Sequence, residues 1–435
     1  MLEMQKKLSG PFYSILSLPA TAMGFALSIQ IAALSWILKT KYNLDIHEIG
    51  IVWAAGPIAG IIGQPLIGLI SDNVWFWGGR RRPFIILGAT LTALMLFALP
   101  NIDVINDFLG FSSLIIVATA VALSLDLAIN ISFNPTRSII ADVTPEGTAR
   151  TKGYTWMQTI SGTFGVLAYL IGAIFGNFFL IYFGVILVFF FSIVPMFLIE
   201  ESKDLSADAE TENPEGVPET KTQWSELIKL YIAHGFSWIG IQTMFVFIFF
   251  FIQQKIFGLN DFKASIPEEI NNQIGQIISI SFLILNAVGA VLPALVLEPV
   301  TEKIGRVKTH LLSVGIMAAG YFGIVFFVNS AIMLYIFMAV CGIGWAAIVS
   351  LPFAIMSEKV NKKKMGFFMG IFNLSVVIPQ LIVSLVLGFV VESFHDKNVI
   401  FIISGITLTL STLLWLMVKE EKYSRKVPAA NPSAH

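Results

Sequence analysis

Long apolar stretches, separated by short polar connectors, occupy almost the whole chain. Runs of spanning length fall at about 14–38, 49–71, 84–100, 112–140, 155–175 and 178–198. After a gap they resume at about 228–253, 273–297, 310–328, 331–356, 366–391 and 398–418. Crossing a bilayer as a helix takes roughly 20 predominantly apolar residues. These runs are too long and continuous for barrel strands, and open sheet edges do not survive in lipid. The pattern predicts an all-α membrane protein with twelve transmembrane helices, six plus six.

The gap reads EESKDLSADAETENPEGVPETKTQ, from Glu200 to Gln223. Acidic, proline-bearing and free of aromatic residues, it has the composition of a solvated linker. The predicted organisation is a first six-helix half over 1–199, a linker over 200–227, a second half over 228–419 and a tail over 420–435. Composition agrees: 13% of the 435 residues are charged, against about 25% in soluble domains, and the mean hydropathy is +0.80. A net charge of −1 excludes nucleic acid as a partner on electrostatic grounds. Cys341 is the single cysteine, so no intrachain disulfide can form. The N-terminal stretch shows no small-residue cleavage site and reads as uncleaved. With the N-terminus inside, 21 of the 27 lysines and arginines fall on inner segments and five on outer ones, Arg137 alone lying within a span. That asymmetry predicts a multi-pass protein of the cell membrane with both termini cytoplasmic.

The halves echo each other. The loop after the second span reads SDNVWFWGGRRRPF, with Asp72 ahead of Gly79, Arg80, Arg81 and Arg82. The loop after the eighth reads TEKIGRVK, with Glu302 ahead of Gly305 and Arg306. Duplicated halves mark transporters, whose substrate sites lie near the midplane between repeats. The two loops are expected to act as cytoplasmic latches that pair with helix ends.

An ionisable residue deep in lipid is costly, by about 2.5–3.5 kcal/mol on insertion scales, and defaults to a functional reading. Asp126 lies near the middle of the fourth span, LIIVATAVALSLDLAINISFNPTRSII. At about 100° per residue, Asp126, Asn130, Asn134 and Arg137 share one stripe of an otherwise apolar helix. The stripe suits either an inter-helix hydrogen-bond network or, better, the wall of an aqueous cavity. Eleven residues at ~1.5 Å each separate Asp126 from Arg137 by ~16 Å, too far for a direct ion pair along a regular helix. Arg137 is then placed near the cytoplasmic mouth, with Asp142 as one nearby acid. Gln30, Asn286, Asn373 and Gln380 suit either solute binding or helix–helix bonding. His234 reads as an interfacial histidine rather than a proton relay, and the run MFVFIFFF as lipid-facing or packed bulk. No phosphate-cradling loop, metal-ligand cluster or nucleophile elbow is found, so neither an enzymatic activity nor a cofactor is predicted.

Several segments carry a resemblance. GQPLIGLISDNVWFWGGRRRPFIILGA resembles the second-span signature of plant sucrose–proton symporters and their bacterial maltose and sucrose transporter relatives in the major facilitator superfamily. LDLAINISFNPTRSIIADV is similar to the fourth-span motif of the bacterial members, and RTKGYTWMQ, GIGWAAIVSLPFAIMS and MGFFMGIFNLSVVIPQLIVS continue the likeness through both halves. The resemblance implies a facilitator fold, alternating access and proton-coupled uptake of a disaccharide such as sucrose, maltose or a related α-glucoside. It places the proton-linked acid on Asp126, the essential arginine on Arg137 and the basic loop cluster on Arg80, Arg81 and Arg82. Trp238 and Trp345 then suit either stacking against sugar rings or the membrane interface. The partners implied are a disaccharide, a proton and the lipid bilayer, with a monomer as the working unit. A sodium-coupled or uncoupled glycoside carrier and a non-transporting sugar receptor are the rival readings; a lone carboxylate suits a proton better than a cation that needs several oxygens.

Overall fold

The computed structural model describes residues 3–145, 148–201, 222–360 and 365–420, and each predicted run within them is helical. The helices are α1 (Gly10–Thr40), α2 (Ile46–Trp53, continuing as Ala55–Asn73), α3 (Arg82–Ala98), α4 (Leu114–Val143), α5 (Thr148–Phe175) and α6 (Asn177–Leu198). The second set is α7 (Trp224–Lys255), α8 (Glu268–Leu292), α9 (Arg306–Phe327), α10 (Ala331–Glu358), α11 (Met365–Ile382) and α12 (Val399–Trp415). Eleven are long and apolar enough to cross a membrane, and α12, within the 10–17-residue class, is the twelfth apolar helix. Several outrun their apolar stretches. Ser9 accepts the Phe12 amide to start α1 early, and α3 continues through a tight turn into Ile102–Leu109. Helices α8 and α11 each pass through one π turn, at Pro293–Leu297 and Val383–Leu387. Most of the predicted linker and tail, residues 202–221 and 421–435, lies outside the described residues.

The repeat is visible in the packing. In the first half α1 packs on α5 and α6, α3 on α4 and α6, and α2 on α4. In the second, α7 packs on α11 and α12, α9 on α10 and α12, and α8 on α10. Each of these five contacts recurs six helices later. The halves meet along α5 with α8 and α2 with α11, which are again equivalent pairs. Helices α1 and α7 are the most enclosed of the twelve. This decides the aromatic run in α7: Phe245, Phe247, Phe249, Phe250 and Phe251 are all buried in protein, not turned to lipid.

The two ends of the bundle differ. At the end away from Gln5 and Glu420, bonds cross between halves. Trp36 Nε1 donates to the Asn271 carbonyl at 2.7 Å, Asn43 Nδ2 to that of Lys263 at 3.1 Å, and Lys39 to that of Phe262. His47 Nδ1 lies 2.5 Å from Glu392 Oε2. In the α11–α12 connection, Lys397 is held by the carbonyls of Val391 and Phe394, and burial pushes its ammonium below the usual lysine range. At the other, basic end, polar bonds among the described residues stay within each half. There Arg137 of α4 and Tyr154, Gln158, Thr159 and Thr163 of α5 are exposed although they belong to spanning helices. Polar groups at such positions do not face lipid. They give α4 and α5 a polar face toward the basic end.

Candidate transport site

Helix α4 grades from dry to wet along its polar stripe. Asp126 is 5% exposed and Asn130 9%, Asn134 is half-buried and Arg137 is exposed. The Asp126 carboxylate accepts Gln30 Nε2 of α1 at 2.9 Å, so a neutral amide stands against the acid. Helix α2 closes the third side through glycine: a Cβ on Gly56 would sit 3.4 Å from Asp126 Oδ2, and one on Gly63 would press to 3.1 Å from Asn130 Cβ. Asn130 turns its amide back onto its own helix, donating to the Asp126 main-chain oxygen at 2.8 Å. Asp126 and Arg137 form no ion pair. The Arg137 guanidinium instead lies over the Phe133 ring at 4.1 Å, and its main-chain carbonyl accepts the Tyr154 hydroxyl at 3.3 Å.

The second half contributes amides and rings. Asn286 Oδ1 of α8 accepts Trp345 Nε1 of α10 at 3.2 Å. Gly289, one turn on, leaves the room that the indole fills, since a Cβ there would meet Trp345 Cδ1 at 2.7 Å. Gln380 Nε2 of α11 donates to Gln242 Oε1 of α7 at 3.3 Å, and Asn373 stands half-buried on α11. The two halves' polar groups approach each other at Tyr169 of α5, whose hydroxyl faces Ser28 of α1 and Asn286 of α8. His234 departs from the sequence expectation. It is 2% exposed, its ring stacked on Phe372 at 4.9 Å and its Nε2 accepting Trp238 Nε1 at 3.0 Å. It is an interior residue because α7, unlike most spans, is surrounded by protein.

The basic-end loops are built alike in both halves. Asp142, at the end of α4, takes Arg80 Nη2 on one oxygen and Arg81 Nε on the other, each at 3.0 Å; its carboxylate is thereby filled from the loop rather than by Arg137. The equivalent pair joins Arg306 to Glu358 at the end of α10. Glu201 accepts the amides of Arg80, Arg81 and Arg82, each at 2.8 Å, and Arg82 also reaches the Ile199 carbonyl. Glu420 accepts those of Arg306 and Val307 at 2.8 and 2.9 Å. A carboxylate at a helix start satisfies its unpaired amides and complements its dipole. The repeated glycine now has a reason: a Cβ on Gly79 or Gly305 would come within 2.3 or 2.5 Å of the respective glutamate. Glu302 is exposed and takes no part in the Arg306 pair, and the side chain of Asp72 lies outside the described residues.

Sequence reasoning missed the polar face of α5, with Gln158 and the threonines at 155, 159 and 163, whose four-residue spacing was the available signal. It also passed over Tyr169 and Gln242, and at the basic-end loops Glu201, Glu358 and Glu420. Glutamate doublets following the sixth and twelfth spans were the signal there.

Twelve apolar helices in two repeated halves, bonded to each other at the far end and enclosing buried polar groups, define a multi-pass membrane transporter. The chain belongs to the Major Facilitator Superfamily, whose sequence pattern matches residues 16–375 and 262–434. It is 25% identical over 422 residues to sucrose transport protein SUT2 of Oryza sativa subsp. indica, covering 81% of this chain and 82% of that protein. Sucrose transport protein SUC4 of Arabidopsis thaliana is 24% identical over 418 residues, 81% and 79% of the two chains. The general alpha-glucoside permease of Schizosaccharomyces pombe is 29% identical over 190 residues, which make up 40% of this chain and 34% of that protein. Among solved structures, the nucleoside transporter NupG superposes with a TM-score of 0.69 at 13% identity, over 94% and 100% of the chains. A D-xylose-proton symporter does so at 0.68 and 16% identity, over 95% and 99%. These two likenesses concern the fold.

Proposed function

We propose that this transporter is a proton-coupled symporter that imports a disaccharide of the sucrose, maltose or α-glucoside type by alternating access, from a cell membrane in which both termini are cytoplasmic. The observation that carries the reading is Asp126, buried between α1, α2 and α4 with the Gln30 amide as its side-chain partner. Among the described residues no cation pairs with it, so a proton is the natural counterpart. The names of the two plant relatives and the yeast permease favour the substrate class. The positive-inside asymmetry of the loops supports reading the basic end as the cytoplasmic one.

In this reading Asp126 takes a proton when the site opens outward. Neutralised, it allows the halves to close around the sugar. Opening inward exposes the stripe from Asn130 to Arg137, and sugar and proton leave by that path. Gln30, Asn134, Asn286, Asn373 and Gln380 serve the sugar hydroxyls, and Arg137 holds the cytoplasmic end of the path. The halves, over 1–199 and 228–419, move about the linker as rigid units. A monomer is the working unit in this reading.

The test is uptake of labelled sucrose and maltose into proteoliposomes with and without an inward proton gradient. We expect gradient-driven accumulation by the wild type. Asp126→Asn should abolish accumulation while leaving sugar exchange. Accumulation by the variant equal to wild type would remove Asp126 as the coupling acid, and dependence on a sodium gradient instead would favour the sodium-coupled carrier.

A further inference from the structure

His234 is an unusual residue to find packed inside a helical half, because a buried polar ring costs free energy unless it is bonded. Its Nε2 accepts the Trp238 indole N–H at 3.0 Å. In the neutral ring the hydrogen therefore sits on Nδ1, which has no partner among the described residues. The Trp238 bond is thus the polar contact that justifies a histidine here; phenylalanine would fill the same space.

The ring has little freedom. It stacks on Phe372 with planes 16° apart. Beside it α11 is drawn close to α7, since a Cβ on Gly235 would lie 3.3 Å from Pro379 Cγ. What His234 holds is one side of a right-angled corner. Trp238 and Trp345 meet with centroids 6.1 Å apart and planes at 78°. Trp345 is pinned in the same manner through its own N–H, by Asn286. Both indoles are half-buried, so each keeps part of its ring open although its N–H is tied back into the protein. Phe245 packs edge-on behind Trp345 at 5.6 Å. A flat ring fixed before the ligand arrives loses no side-chain entropy on binding.

We infer that His234 is a positioning residue for solute specificity: by holding Trp238 it builds a preformed two-indole corner in the second half that receives the C–H-rich face of one sugar ring. This rests on the sugar reading above and adds a residue to it that does not touch the sugar. Removing the acceptor sacrifices one hydrogen bond's worth of preorganisation, about 0.7–1.4 kcal/mol. That corresponds to a loss of affinity of about three- to tenfold.

Two readouts test it on the reconstituted full-length protein. The first uses 5-fluorotryptophan labelling, with the Trp238 fluorine resonance assigned by its disappearance in Trp238→Phe. His234→Phe should shift that resonance, and His234→Gln, which restores an acceptor, should bring it back toward wild type. The second is sugar transport. His234→Phe should raise KM three- to tenfold with kcat nearly unchanged, His234→Gln should recover most of the loss, and in a Trp238→Phe background the His234 substitution should add nothing further. An unmoved resonance in His234→Phe overturns the positioning role. A moved resonance with unchanged KM, or additive effects in the double variant, overturns the corner. If wild type carries no sugar at all, the sugar reading fails and the corner with it, while the fluorine resonance still decides whether His234 holds Trp238.

Discussion

The two ends of the bundle use the same kinds of bond for opposite purposes. At the far end Trp36, Lys39, Asn43 and His47 of the first half are bonded to groups of the second. At the basic end Arg81 is bonded to Asp142 and Arg306 to Glu358, each inside its own half. Bonds between halves close a gate; bonds within a half stiffen the piece that moves. Among the described residues, the far end is where the halves are bonded to each other. Among the described residues the basic-end ion pairs join groups of one half, so a bond between halves there would need other partners.

The severest way to break this comparison is to make the far-end closure permanent. A Cβ on Gly388 would lie 3.7 Å from that of His47, against about 3.8 Å in a disulfide. Cys341, the native cysteine, is buried and should not interfere. The pair His47→Cys with Gly388→Cys should cross-link on oxidation and lose essentially all transport, with recovery in reductant; confirmed cross-linking without loss would mean that the far end need not open.

Arg137 sharpens the comparison at the basic end. Because it makes no ion pair with Asp126, its planar fork, laid over Phe133, should matter more than its charge. Arg137→Lys is expected to cut transport more than tenfold. If Asp126→Asn combined with Arg137→Gln restores exchange lost in Arg137→Gln alone, the two residues meet in another state.

A moderate effect is expected at the latch. Arg81→Glu sets a negative charge beside Asp142 and should lower turnover several-fold while leaving sugar affinity nearly intact, as measured by initial rates over a concentration series. A tenfold loss of binding at unchanged maximal rate would place the loop in the site instead. The smallest effect belongs to the loop caps. Glu201→Gln and Glu420→Gln each lose a charged acceptor for two or three helix-start amides and should cost about 0.5–2 kcal/mol of stability. Thermal unfolding in detergent would show it, with Glu201→Gln the larger because it serves three amides at full strength.

How much of this was legible in advance depends on the kind of information. The number of spans follows from hydrophobic runs, and the repeat from two loops with an acid, a glycine and arginines in the same order. Asp126 stood out because an acid has no cheap place in an apolar helix. These are properties of one segment at a time, set by the cost of transferring each side chain to lipid, and the chain determines them alone. The partners of those residues are a different matter. That Gln30 serves Asp126, that Asp142 belongs to Arg80 and Arg81, that His234 is interior rather than interfacial, and that Gly79 makes room for Glu201 all depend on which helix faces are brought together. A hydropathy pattern ranks a position by how apolar it is, and a span surrounded by protein looks the same as one surrounded by lipid. Only packing separates them, because burial of α7 and closure of the far end arise from contacts between residues as much as 345 positions apart, as for His47 and Glu392.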